Sequence, residues 1–179
     1  MAAGGALEWG EGVCVFQNLT PPDRRTVILA LIGFVGLPLL VGGASGSLTA
    51  AAVRDWYPSL LPPPGRPPNW LFAPVWTALY IGMGVAAWRV WRQVLPHRAA
   101  LRLWGWQLLA NALWTPAFFG LHNPGLGLVV IVPLWGLILL TLRSFARLDR
   151  VAAALLVPYL LWTSYATYLN AGFWWLNRL

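Results

Sequence analysis

Five stretches of this chain are long, apolar and free of acidic residues: 26–48, 70–91, 101–121, 126–142 and 151–176. Each is close to the roughly 20 residues that a helix needs to cross a bilayer. Each is bracketed by Arg, Pro or Asn. Inside hydrocarbon the backbone has to satisfy its own hydrogen bonds, so only helices or a closed barrel can cross. The period-two alternation of a membrane barrel is absent from these stretches. The pattern predicts an all-α membrane protein, a five-transmembrane-helix bundle. Composition agrees. The 179 residues are 59% hydrophobic and 9% charged, whereas soluble domains carry about a quarter charged residues. Disorder is excluded by the same hydrophobicity. Residues 1–25 read as a flexible N-terminal segment and 26–179 as the membrane domain.

The net charge of +7 comes from 12 basic residues, all of them Arg. They sit between apolar runs, as anchors at a membrane face do, so nucleic acid is not the expected partner; the lipid bilayer is. With five spans, Arg54, Arg66 and Arg178 fall on one side and the other nine on the N-terminal side. The positive-inside rule then puts the N-terminus in the cytoplasm of a bacterial inner membrane; an outer membrane is the alternative and would void this orientation. Arg24-Arg25 and the following apolar run imitate a signal peptide, but the run is longer than a usual h-region.

The one long connection, 54–69, holds six prolines. Proline fixes φ and pushes its predecessor extended, so this Pro-rich loop after helix one loses little entropy on ordering. Trp56 and Tyr57 at its start fit either an interfacial aromatic belt or a lid over a cavity. Three helix faces carry aromatic stripes: Trp76, Tyr80, Met83 and Ala87; Trp104, Gln107, Asn111, Trp114 and Phe118; Trp162, Ala166, Leu169 and Phe173. Their steps of three and four put each set on one face. Such stripes are commonly plain packing. Gln107 and Asn111 nevertheless lie at mid-span, where an unpaired polar group costs several kcal/mol, so both are expected to face the interior and a hydrogen-bond partner. Asn111 suits an interhelical hydrogen bond or a ligand contact. Pro74, Pro116, Pro133 and Pro158 fall inside spans and are expected to kink them. Gly42 to Gly46 and Gly82 to Ala86 have small-xxx-small spacing, which favours close helix contact within the bundle or between chains.

Glu8, Glu11, Asp23, Asp55 and Asp149 all lie in the N-terminal segment or in loops. Ion-coupled transport usually needs a carboxylate within the membrane, and acid–base catalysis needs a placed pair. The single Cys14 permits no intramolecular disulfide. His97 and His122 fall on opposite sides in this topology, so no shared metal site is expected. A conventional enzyme is disfavoured.

Three motifs now combine: WYPSLLPPPGRPPNWLFAPVWTALYIGMG (56–84), QLLANALWTPAFFG (107–120) and PYLLWTSYATYLN (158–170). Together they resemble the TspO/MBR family of tryptophan-rich sensory proteins and translocator proteins. The resemblance runs over about 26–177. It implies five packed helices, commonly a homodimer, and a pocket closed by the loop after helix one. It further implies binding of porphyrins such as protoporphyrin IX or haem, of sterols in eukaryotic members, and of synthetic isoquinoline carboxamide and benzodiazepine drugs, with no cofactor required. By position the ligand-binding residues would be Tyr57, Trp76, Tyr80, Asn111, Trp114, Trp162 and Ala166. Some bacterial members degrade porphyrin in light and oxygen, a chemistry that would use Trp76 and Trp162. The chain departs from the family at Gly65, Leu126 and Val130. Ala171 replaces the tyrosine of the sterol-recognition pattern, which argues against sterol. The expected function is a membrane tetrapyrrole-binding sensory or transport protein; the alternatives are the light-dependent porphyrin-degrading enzyme and a packing protein without a ligand.

Overall fold

A computed structural model describes residues 23–93 and 97–178. Five α-helices account for most of them: α1 (Arg24–Asp55), α2 (Phe72–Trp91), α3 (Arg98–Thr115), α4 (Pro124–Ala146) and α5 (Arg150–Leu176). Single 3-10 turns at Tyr57–Ser59 and Asn69–Leu71 punctuate the loop after α1. Among the described residues there is no strand. Four segments are long and apolar enough to cross a membrane: α1, Asn69–Trp91, α4 and α5. The third helix falls short of that group: 18 residues that include Arg98, Arg102, Gln107 and Asn111. The predicted flexible segment 1–25 lies outside the described residues as far as residue 22; Arg24 and Arg25 already belong to α1.

Local chemistry sets the helix ends. Asp23 caps α1 by accepting from the Thr26 amide (3.1 Å). Asn123 caps α4 by accepting from Leu126 N (3.0 Å), with Pro124 at the first helical position, where its missing N–H costs nothing. α1 runs seven residues past the expected limit at 48, because 49–53 contains only helix-compatible side chains and the first breaker is Pro58. The prolines sort by position. Pro74 sits in the first turn of α2 rather than inside it. Pro133 and Pro158 are interior, and so is Pro38. Pro116 has no N–H to continue α3, and the ladder widens to a π turn over Pro116–Gly120. There Leu121 N donates to Pro116 O (2.8 Å) and Asn123 N to Phe118 O (3.2 Å).

The core lies between α2, α3, α4 and α5, with α5 packed against both α2 and α4. Met83, Ala86, Ala87 and Val90 are fully buried, as are Leu134, Ile138, Phe145, Leu156 and Tyr159. Gly84 is what lets α1 approach: a Cβ there would run into the Phe34 carbonyl and the Val35 Cα. At the Arg-rich end, Arg89 Nε donates to Asp149 Oδ2 (2.9 Å) and Gln93 Nε2 reaches the same oxygen (3.3 Å). The other carboxylate oxygen caps α5 through the Val151 and Ala152 amides. Burial alone would push the Asp149 carboxyl up; the Ala152 amide and the Arg89 guanidinium, with Val151, outweigh it and hold the group below its ordinary value.

Two outcomes follow for stability. Gly84→Leu should lower thermal stability in detergent by about 1–3 kcal/mol through overpacking. At Gly46, where an added Cβ meets nothing, Ala should be neutral or stabilise by up to about 1 kcal/mol. A depressed carboxylate stabilises the fold above its unfolded pKa, about 3.9, and that contribution is lost as pH falls through the folded value. Melting curves from about pH 6 down to about pH 2 should therefore fall more steeply for the parent than for Asp149→Ala.

Candidate ligand cavity

A cavity of about 470 Å³ opens between α1, α2, the end of α3 and α5. The volume falls in the ordinary range for a small-molecule site. One wall is aromatic: Trp76 stacks on Tyr80 with centroids 5.6 Å apart, and Trp114 lies 6.2 Å from Trp76. The facing wall on α1 is small: Gly42, Gly43, Gly46 and Ala50. These positions recur every three or four residues, so one stripe of α1 faces the space. Gly42 is required there, because its Cβ would enter the Tyr80 ring.

The floor is Tyr80, backed by a polar triad. Tyr80 Oη donates to Asn111 Oδ1 (2.8 Å), and Asn111 Nδ2 donates to the Tyr159 hydroxyl oxygen (3.0 Å). Asn111 is 1% exposed and Tyr159 fully buried. Three helices thus meet at one amide. Higher up, Trp114 Nε1 donates to Asn170 Oδ1 (3.1 Å), and Asn170 Nδ2 donates to the Pro124 carbonyl (2.6 Å).

The roof begins at Tyr57, buried against Phe173 (4.9 Å) and Phe119 (5.7 Å). Burial pushes its phenol up to about 12, against the pull of the nearby Arg66, so Tyr57 stays neutral under physiological conditions. The Pro-rich loop is tied to α5. Tyr165 Oη donates to the Gly65 carbonyl and Tyr168 Oη to the Pro64 carbonyl (3.1 Å). Leu61 N donates to Asn177 Oδ1 (2.9 Å), and Asn177 Nδ2 donates back to Leu61 O (3.1 Å). Gly65 has φ +78°, a left-handed conformation that favours glycine. Beside the roof, Trp56 stacks on His122 with centroids 4.7 Å apart.

Five of the seven expected site residues line the cavity: Tyr57, Trp76, Tyr80, Trp114 and Ala166. Asn111 stands one layer back, behind Tyr80. Trp162 does not join the wall. It is half-buried, edge-on to Phe72 at 6.0 Å and beside Tyr165, so Phe72 takes the surface that Trp162 was expected to supply. Sequence reasoning missed the glycine wall of α1, whose spacing was legible but read as helix contact. It also missed Asn170, an amide in the last two turns of α5 that is as buried as Asn111. No carboxylate or imidazole lines the space, and among the described residues no group of His, Cys, Asp or Glu could hold a metal. What the lining offers is shape, stacking surface and a few hydrogen bonds.

The arrangement agrees with the comparisons to known proteins. The TspO/MBR family profile matches residues 34–176. The chain belongs to the TspO/MBR family. It is 44% identical over 147 residues to the tryptophan-rich protein TspO of Chlorobaculum tepidum, covering 80% of this chain and 92% of that one. It is 38% identical over 136 residues to the tryptophan-rich sensory protein of Cereibacter sphaeroides (75% and 85%). It is 35% identical over 156 residues to the translocator protein of Bos taurus (83% and 90%). TspO/MBR membership and the four apolar helices make it a multi-pass integral membrane protein.

The triad can be tested directly. Asn111→Leu should lower stability by about 2–4 kcal/mol, since it strands two buried hydroxyls at about 1–3 kcal/mol each. Adding Tyr80→Phe and Tyr159→Phe should recover part of that loss. Thermal denaturation of the single, double and triple variants measures the coupling.

Proposed function

We propose that this protein is a membrane receptor or carrier for a tetrapyrrole, holding protoporphyrin IX or haem in the aromatic cavity under the Pro-rich loop. The aromatic wall carries the reading. Trp76, Tyr80 and Trp114 form a continuous π surface beside a flat wall of glycines, a slot that suits a broad, thin, apolar molecule. In this reading α3 is the fifth crossing: it begins at Arg98 after the Arg-rich end of α2, and its far end reaches the start of α4, where Trp114 Nε1 and the Pro124 carbonyl meet at Asn170. Asn111 acts through Tyr80, fixing the ring that the ligand meets. No cofactor is needed. The nine arginines on one side favour a cytoplasmic N-terminus in a bacterial inner membrane, and the names of the relatives favour sensing or translocation as the readout. A homodimer fits Gly33, Ala44 and Ala51, which are exposed on the face of α1 turned away from the cavity. Light-driven degradation of the porphyrin is less favoured, because Trp162 sits behind Phe72 instead of facing the slot.

Titration of the purified protein with protoporphyrin IX, followed by tryptophan fluorescence, should show saturable quenching. Trp76→Leu and Trp114→Leu should each weaken binding about two- to tenfold, the value of an aromatic contact, while Trp162→Leu changes it less than either. Absence of saturable quenching, or equal affinity in all three variants, overturns the site.

A further inference from the structure

The cavity has two borders, and only one of them is closed. In the inner half of the bundle α1 and α2 are zipped together. Trp88 Nε1 donates to the Val27 carbonyl (3.0 Å), Gly84 abuts Phe34, and Gly42 abuts the Tyr80 ring. These contacts run antiparallel along the two helices and stop at Gly42 and Tyr80. Beyond them, Gly46, Ala50 and Val53 on one side and Thr77, Ala73 and Asn69 on the other all line the cavity. Yet Gly46, Ala50, Asn69, Ala73 and Thr77 are exposed, and a Cβ on Gly46 would touch nothing within 4 Å. The two helices splay outward from Tyr80 and leave a seam edged by small side chains.

The roof is the opposite. Tyr57, Phe118 and Phe173 are 4%, 3% and 1% exposed. Four hydrogen bonds and the contact of Pro63 with Gly172 hold the loop on α5. None of these ties involves α1 or α2: the loop is held on α5 by its own bonds, while among the described residues the open stretch of α1 and α2 beside the cavity carries no bond across it. Gly46 lies nine residues before the end of α1, roughly 13 Å along the axis, and no charged residue falls between Arg25 and Arg54. The seam therefore faces acyl chains.

We propose that the seam between α1 and α2 is the ligand's portal, and that the roof is a fixed cover and not a door. The ligand is then a molecule already dissolved in the bilayer, which moves sideways past Gly46, Ala50, Ala73 and Thr77 onto Trp76. The proposal rests on the ligand-binding reading above and adds its route and its phase.

Two experiments test it, both in a Cys14→Ser background reconstituted in vesicles. In the first, Gly46→Cys and Ala73→Cys are treated with pyrenyl maleimide, which partitions into lipid, and with a charged, membrane-impermeant methanethiosulfonate. The lipid-soluble reagent should modify both positions and the charged one neither; labelling by the charged reagent overturns the portal. In the second, Leu61→Cys with Asn177→Cys bridges the roof to α5, and Gly46→Cys with Thr77→Cys is bridged across the seam by a bis-methanethiosulfonate. Bridging the seam should slow protoporphyrin IX association about tenfold or more, with recovery on reduction, whereas bridging the roof should change it by less than about twofold. A block by the roof bridge, or free exchange across a bridged seam, overturns the proposal. A protein that never binds protoporphyrin IX defeats the ligand reading alone, and the labelling arm still decides the portal.

Discussion

The interaction on which the rest depends is the amide of Asn111 held between two tyrosine hydroxyls. In hydrocarbon there is no water to take up an unmade hydrogen bond, so a mid-span amide is costly unless partners are built for it; Gln107, buried with neither side-chain atom hydrogen-bonded, bears that cost. For Asn111 the partners are Tyr80 and Tyr159, and they come from α2 and α5. One side chain thereby fixes the mutual rotation of three helices. Because Tyr80 also forms the cavity floor, the same bond that orders the bundle presents the ring on which Trp76 stacks. Structure and site share an anchor, and the cavity cannot deform at its floor without breaking it.

Glycine placement then decides where helices touch and where they part. Gly84 and Gly42 each face an atom that a Cβ would strike, so they bring α1 against α2. Gly43 and Gly46 face nothing. The same residue type thus serves close approach at Gly42 and Gly84 and open space at Gly43 and Gly46. α1 is the least buried of the apolar helices, held against α2 from Val27 to Gly42 and at its far end by Trp56 and Tyr57, with the stretch from Gly43 to Val53 open along the slot.

Much of this was legible beforehand, for physical reasons that can be named. Helix content followed from apolar length, since the bilayer leaves the backbone few options. The burial of Gln107, Asn111 and Trp104 followed from their spacing and from the cost of polar groups in lipid. Trp76, Tyr80, Trp114 and Ala166 reached the cavity because stripes of three and four residues report a helix face. Trp162 misled because periodicity gives the face but not what stands in front of it, and Phe72 belongs to a different helix. The spacing of Gly42 and Gly46 read as close helix contact, which Gly42 makes and Gly46 does not: small residues carry no sign of their own, the same spacing serves a tight crossing or a gap, and only the partner helix distinguishes them. The π turn at Pro116 was foreseen as a kink but not as a widened ladder, since losing one donor can be resolved in several ways.

The splay of α1 also answers a question of energy. Voids in packed interiors cost about 24 cal/mol per Å³, so a sealed void of about 470 Å³ would cost on the order of 11 kcal/mol, as much as the whole stability of an ordinary domain. No aromatic stacking at about 1 kcal/mol per pair offsets that. A cavity open to the bilayer avoids the cost, because acyl chains fill it whenever the ligand is absent. The seam and the aromatic slot are therefore one solution: lipid keeps the space from collapsing, and a flat ligand needs only to exchange with chains that are mobile and apolar, leaving the roof and the Asn111 anchor undisturbed.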